Sequence, residues 1–127
     1  MLLFEDNIFK VTSIPLTHRI ECTGFLIQEK EKLRSLKKDF IQKHKIPIEK
    51  FHQLKQGEDL VTNETIIKND VLTNPAPKPR SYAYCSDTKY DESIVPIIEN
   101  VDLLYHESTF LENKRDRAKK TFHSTAI

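Results

Sequence analysis

The hydrophobic period of this 127-residue chain changes twice, and that switch limits what it can fold into. Residues 8–16, IFKVTSIPL, and 20–29, IECTGFLIQE, carry β-branched residues and near-alternating apolar positions. They predict an antiparallel strand pair, with Gly24 at a bulge or a close backbone approach. Over residues 30–45, KEKLRSLKKDFIQKHK, the period lengthens: Leu33, Leu36, Phe40 and Ile41 recur at helical spacing among lysines, and Ile46-Pro47 ends the helix. PIEKFHQLKQG reads as a second short helix or turn that stops at Gly57. Val61 and Ile66-Ile67 then flank TNET as in a small hairpin. TNPAPKPR, with three prolines, is an extended stiff loop. The strand period returns in SYAYCSD and DLLYHEST, on either side of a helical DESIVPIIENV with Pro96 in its early part. Strand, helix, strand implies a parallel, layered α/β unit. LENKRDRAKK is a charged, exposed helix or loop. The initial strand pair lacks the neighbours it should lie beside, and HSTAI closes without a cap or tail, so the chain reads as part of a larger domain.

Charge follows the same division. Residues 30–55 hold nine Lys/Arg against three acids, a net +6 on a chain whose total is +1. A basic segment on a mildly acidic body suits a polyanionic partner, and equally suits a solvated helix face. The two glycines leave no GxGxxG or GxxxxGK phosphate loop. No apolar run approaches the roughly 20 residues that span a bilayer, and MLLFEDNIFK is no signal peptide. Cys22 and Cys85 form no CxxC pair and read as reduced core residues of a cytoplasmic protein.

The residues able to carry chemistry cluster late. Asp87 follows the strand YAYC, and His106 directly follows VDLLY. In layered α/β folds, the carboxyl ends of strands face the ligand crevice. His123 lies in a third loop. Carboxylate and neutral imidazole together suit zinc, manganese or iron. Each residue also has a plainer reading: Asp87 as a turn former or the cap of the following helix, each histidine as a surface or satisfied core residue. Glu107 either orients an imidazole or relays a proton, or is an exposed loop acid. His18, in PLTHR, also follows a strand. His44 and His52 read as solvent-facing.

PLTHRIECTGFLI, IPIEKFHQLKQGE, KPRSYAYCSDT, ENVDLLYHESTF and HSTAI, in this order, resemble ribonuclease Z, the tRNA 3′-processing endonucleases of the metallo-β-lactamase superfamily. The resemblance covers nearly the whole chain. It implies an α/β fold, part of a metallo-β-lactamase αββα sandwich with a basic helical arm inserted. Residues 1–29 would be a strand pair of the sandwich, 30–57 the arm that grips tRNA, and 58–127 the α/β portion with the SDT, HEST and HST stretches. It implies two zinc ions, with Asp87 bridging them and His123 as a ligand, and His106 as the general acid for the leaving 3′-oxygen. Thr109, Ser124 and Thr125 lie in loops placed to hold phosphate, and Lys37, Lys38 and Lys43 are the arm cations expected to meet precursor tRNA. The family is usually a homodimer. Two departures stand out: the arm has IPIEKF where many members carry a Gly-Pro motif, and the HxHxDH metal motif is not in this sequence. Only two of the family's seven zinc ligands are then expected here, so the chain alone is expected to bind zinc poorly and to lack ribonuclease activity. The competing readings are an RNA-binding module without catalysis and another hydrolase of the same superfamily.

Overall fold

The computed structural model describes residues 1–126. In chain order, strands β1 (Leu2–Glu5), β2 (Phe9–Leu16) and β3 (Cys22–Glu29) come first. Short elements follow: β4 (Ser35–Leu36), α1 (Lys38–Lys43), α2 (Phe51–Lys55), β5 (Leu60–Val61), β6 (Ile66–Ile67), α3 (Asn69–Leu72) and β7 (Thr73–Asn74). The chain closes with β8 (Ser81–Cys85), α4 (Val95–Ile98), β9 (Leu103–His106) and α5 (Arg115–Thr121). It divides into two compact units, one formed by Met1–Lys30 with the chain from Pro79 onward, the other by Glu31–Lys78.

The first unit is a five-stranded mixed sheet in the order β1-β2-β3-β8-β9. The expected pair is present as β2 and β3, antiparallel from Phe9↔Glu29 to Leu16↔Cys22. It does not lack neighbours. β8 joins β3 antiparallel, and β9 joins β8 parallel from Tyr82↔Leu103 to Cys85↔His106. β1 pairs with β2 on the other side, with a register shift between Leu2 and Phe4. All four β1 residues are exposed, so its LLFE carries no alternation to read. Gly24 is a close approach: a Cβ there would lie 2.6 Å from the Tyr84 carbonyl oxygen. One sheet face buries Ile14, Leu26, Ala83 and Cys85 against Ile94, with Leu16, Ile97 and Ile98 packed around them. The side-chain period of two places Phe25, Tyr84 and Tyr105 together on the other face. All three are exposed there, and the rings of Tyr84 and Tyr105 stack 4.9 Å apart.

The second unit has its own core of Ile41, Ile46, Leu54, Leu60 and Leu72. The helix expected over residues 30–45 is shorter. It begins at Lys38, and the stretch before it is extended, with Ser35 and Leu36 paired to Asn74 and Thr73. Long-range bonds override the helical period: Arg34 Nε donates to Thr73 Oγ1 at 2.8 Å, and the Lys37 amide donates to the Leu72 carbonyl at 2.9 Å. The hairpin is present as β5 and β6, and Gly57, at φ 100°, follows α2. His44, His52, Lys38 and Lys43 are exposed. Lys37 is half-buried, donating to the Asp70 carbonyl and lying over the Phe40 ring.

Candidate metal centre

β8 and β9 run parallel, so the residues leaving their carboxyl ends emerge side by side. Asp87 follows β8 in the left-handed region at φ 53°, a conformation that Asp tolerates better than most residues. Its carboxylate is exposed and has no hydrogen-bond or ion-pair partner among the described residues. It does not cap the next helical turn. Asp91 does, accepting from the Ser93 amide at 2.9 Å. The Thr17 hydroxyl and Ser93 hold the Asp91 carboxyl down to about 2.

Glu107 follows β9 and is only 6% exposed. Its Oε1 accepts the Thr88 amide at 3.0 Å and lies 2.7 Å from His123 Nδ1. Its Oε2 accepts the Thr109 amide at 3.0 Å, the Thr109 hydroxyl at 2.8 Å and the Ser124 amide at 3.2 Å. Burial alone would raise this carboxyl. The donors from Thr109, His123 and Ser124 outweigh it and hold the group below its ordinary value. An ionised carboxylate therefore ties together the loops that carry Asp87, His106 and His123.

Asp87, Glu107 and His123 bring one possible ligand atom each within 4.8 Å of one another. Glu107 already has donors on both oxygens, so its place in the cluster is that of a support, and Asp87 is the open carboxylate. His123 follows α5, which ends on Phe122 in the left-handed region at φ 60°; the His123 amide returns to the Ala118 carbonyl at 2.9 Å.

The three imidazoles share one arrangement. His123 Nδ1 faces Glu107, His106 Nδ1 lies 2.8 Å from the Glu107 carbonyl oxygen, and His18 Nδ1 lies 3.0 Å from the Phe122 carbonyl oxygen. A carbonyl only accepts, so Nδ1 carries the proton in His106 and His18 and Nε2 is the lone-pair nitrogen. His18 lies beside His123, ring centres 5.1 Å apart. No spacing in the sequence brings it there. The signal available was its place just after a strand, the same placement that singled out Asp87 and His106. Cys85, beneath the site, is a free thiol whose pKa burial pushes up.

The three loop hydroxyls are engaged: Thr109 on Glu107, Ser124 on the Thr88 carbonyl at 2.7 Å, and Thr125 on Glu112 at 2.8 Å. Of the three, Thr109 is exposed. A cavity of about 880 Å³ opens beside His106 and His123, walled by Ile94, Ile98 and Leu104, with Lys89 and Lys119 among its lining. The expected cations Lys37, Lys38 and Lys43 belong to the Glu31–Lys78 unit.

Sheet and cluster define a mixed α/β protein with a candidate metal centre at the carboxyl ends of parallel strands. No family model matches the chain. Over 126 residues, 98% of its length, it is 50% identical to the ribonuclease Z of Parabacteroides distasonis and 52% identical to that of Porphyromonas gingivalis strain W83. The ribonuclease Z of Cytophaga hutchinsonii is 47% identical over the same length. The chain spans about 41% of the first two relatives and 40% of the third, so it matches part of a longer ribonuclease Z. No helix among the described residues is long and apolar enough to cross a membrane.

Proposed function

We propose that the chain is part of a zinc-dependent endoribonuclease that removes 3′ trailers from precursor tRNA in the cytoplasm, cutting after the discriminator nucleotide. The observation that carries this is the cluster of an open Asp87 with Glu107 and His123, whose ligand atoms lie within 4.8 Å of one another, and with His18 beside His123. A carboxylate oxygen and outward imidazole nitrogens are the donor set of a zinc site, and a carboxylate behind a ligating histidine is its usual support. Asp87 and His123 are ligands in this reading, and His18 joins them as a third. When bound, zinc lowers the pKa of a water and neutralises phosphate charge. His106, with its Nδ1 proton committed to the Glu107 carbonyl, presents Nε2; once protonated, Nε2 delivers a proton to the leaving 3′-oxygen. Glu107 acts on the reaction through His123, fixing its tautomer and direction.

Thr109, Ser124 and Thr125 are the phosphate-side candidates, with Thr109 foremost because it is exposed. Residues 30–57 serve as the tRNA grip through exposed Lys38 and Lys43, with Lys37 a weaker contributor because its ammonium is already engaged. Residues 1–29 and 58–127 form the rest. The exposed row Phe25, Tyr84 and Tyr105 supports a partial αββα sandwich whose sheet packs a second sheet in the whole protein, and in this reading the whole protein is a homodimer. With three candidate ligands where the family uses seven for two ions, the chain alone does not cleave RNA.

The test is a chimera in which this chain replaces the matching segment of the Parabacteroides distasonis protein. It is expected to take up zinc and to release the trailer from a precursor tRNA, and Asp87→Ala or His18→Ala in it lowers cleavage at least about 100-fold. A chimera that folds and binds zinc but leaves precursor tRNA intact defeats the proposal. Cleavage by the chain alone defeats the statement that it is inactive by itself.

A further inference from the structure

Thr17 stands between the end of β2 and His18, and one stretch of chain holds all its polar groups. Its amide donates to Thr88 Oγ1 at 3.1 Å, its carbonyl accepts the Lys89 amide at 3.0 Å, and its hydroxyl donates to Asp91 Oδ2. Thr88 is fully buried, and its hydroxyl donates onward to the Lys89 carbonyl at 2.9 Å. The backbone of Thr88 faces the other side of the site. Its amide donates to Glu107 and its carbonyl accepts the Ser124 hydroxyl. His18 is thus held at two points, by the clamp on Thr17 and by its own bond to the Phe122 carbonyl, 104 residues away in sequence.

We infer that Thr88 is a positioning residue: its hydroxyl sets His18 beside His123 without reaching an ion itself. This rests on the reading in which His18 faces a metal centre. The geometry separates the two halves of Thr88, because its side chain serves the His18 loop while its backbone serves Glu107 and Ser124. Removing the hydroxyl alone therefore takes one of the three holds on Thr17 away, loosens the seat of His18 and spares the Glu107–His123 pair, a difference that general loosening of the fold would not produce.

Thr88→Val is nearly isosteric and deprives the partly buried Thr17 amide of its acceptor; Thr88→Ser keeps the acceptor. Nitrogen-15 NMR of the imidazoles in the metal-free protein is the first measurement. His18 is expected in a single Nδ1–H tautomer in the wild type, averaged between tautomers in Thr88→Val and restored in Thr88→Ser, with His123 unchanged throughout. Zinc titration of the chimera described above is the second: Thr88→Val raises its dissociation constant about tenfold, and Thr88→Ser stays near wild type. The inference is overturned if His18 keeps its tautomer in Thr88→Val, if Thr88→Ser behaves as Thr88→Val does, or if the His123 signals change together with those of His18. If the wild-type chimera takes up no zinc, the metal reading fails and the imidazole spectra alone decide the role of Thr88.

Discussion

Each unit of the molecule is built around one buried polar hub, and the two hubs differ in kind. In the Glu31–Lys78 unit the hub is Asn69, 6% exposed. Its Nδ2 donates to the Leu54 carbonyl at 2.8 Å and the Glu58 carbonyl at 2.7 Å, its Oδ1 accepts the Thr73 hydroxyl at 2.7 Å, and its amide donates to Asp59 at 2.8 Å. Every group meets a protein partner, so the hub is closed. In the sheet unit the hub is the charged Glu107, and one of its partners is an imidazole whose far nitrogen has no hydrogen-bond partner among the described residues. A closed neutral hub fixes a fold. A charged hub that gives one of its bonds to aiming a histidine, with an unpartnered Asp87 alongside, leaves binding capacity at the surface. The sharpest way to break this contrast is Glu107→Ala, which strands the buried donors of Thr88 and Ser124 and frees His123. It is expected to cost about 3–4 kcal/mol in urea unfolding, the largest single effect here. A cost below about 1 kcal/mol, the worth of one ordinary hydrogen bond, would mean that the loops hold together without the carboxylate.

Asn69→Ala tests the other hub. It leaves the Leu54 and Glu58 carbonyls without their donor, while Thr73 keeps a bond to the Asn69 carbonyl at 3.0 Å. About 2 kcal/mol is expected, less than for Glu107 because the stranded groups are fewer and their lost partner is neutral. Zinc uptake should not change. A loss of zinc affinity in Asn69→Ala would erase the distinction between a hub for folding and a hub for binding.

The elements legible in the sequence are those specified by local pattern. β2, β3, β8 and β9 follow apolar alternation or short apolar runs, and a strand–helix–strand order sufficed to expect the parallel pairing of β8 with β9. β1 escaped because it is an edge strand whose residues are all exposed; it is held by backbone pairing that imposes no side-chain pattern. β4 escaped because Leu33 and Leu36 mimic a helical stripe, while the partners that extend this segment, Leu72 and Thr73, lie far along the chain. At the candidate centre, the strand ends marked Asp87 and His106. The convergence of His18 with His123 depends on a clamp at Thr88 and a carbonyl at Phe122, contacts between distant residues that spacing does not encode.

The smallest expected effect lies in the backbone. Each unit holds one bulky non-glycine residue in the left-handed region: Lys45 at φ 48° in the Glu31–Lys78 unit, and Phe122 at φ 60° in the sheet unit. The conformation costs a side-chain-bearing residue roughly 1–2 kcal/mol, and glycine returns part of that as lost chain entropy. The Lys45 side chain is exposed and has no partner among the described residues, so nothing offsets its strain. Phe122 sits where a helix commonly ends in glycine, yet its ring lies edge-on to His18 at 6.5 Å and beneath the Lys89 ammonium at 5.6 Å. Lys45→Gly is therefore expected to stabilise by about 0.5–1 kcal/mol. Phe122→Gly, the same relief of backbone strain, is expected to give no gain and to weaken zinc binding, because the ring helps seat His18. Thermal unfolding of the pair decides the point. Equal stabilisation by both substitutions would show that the Phe122 ring contributes nothing to the site, and that the strain there is incidental.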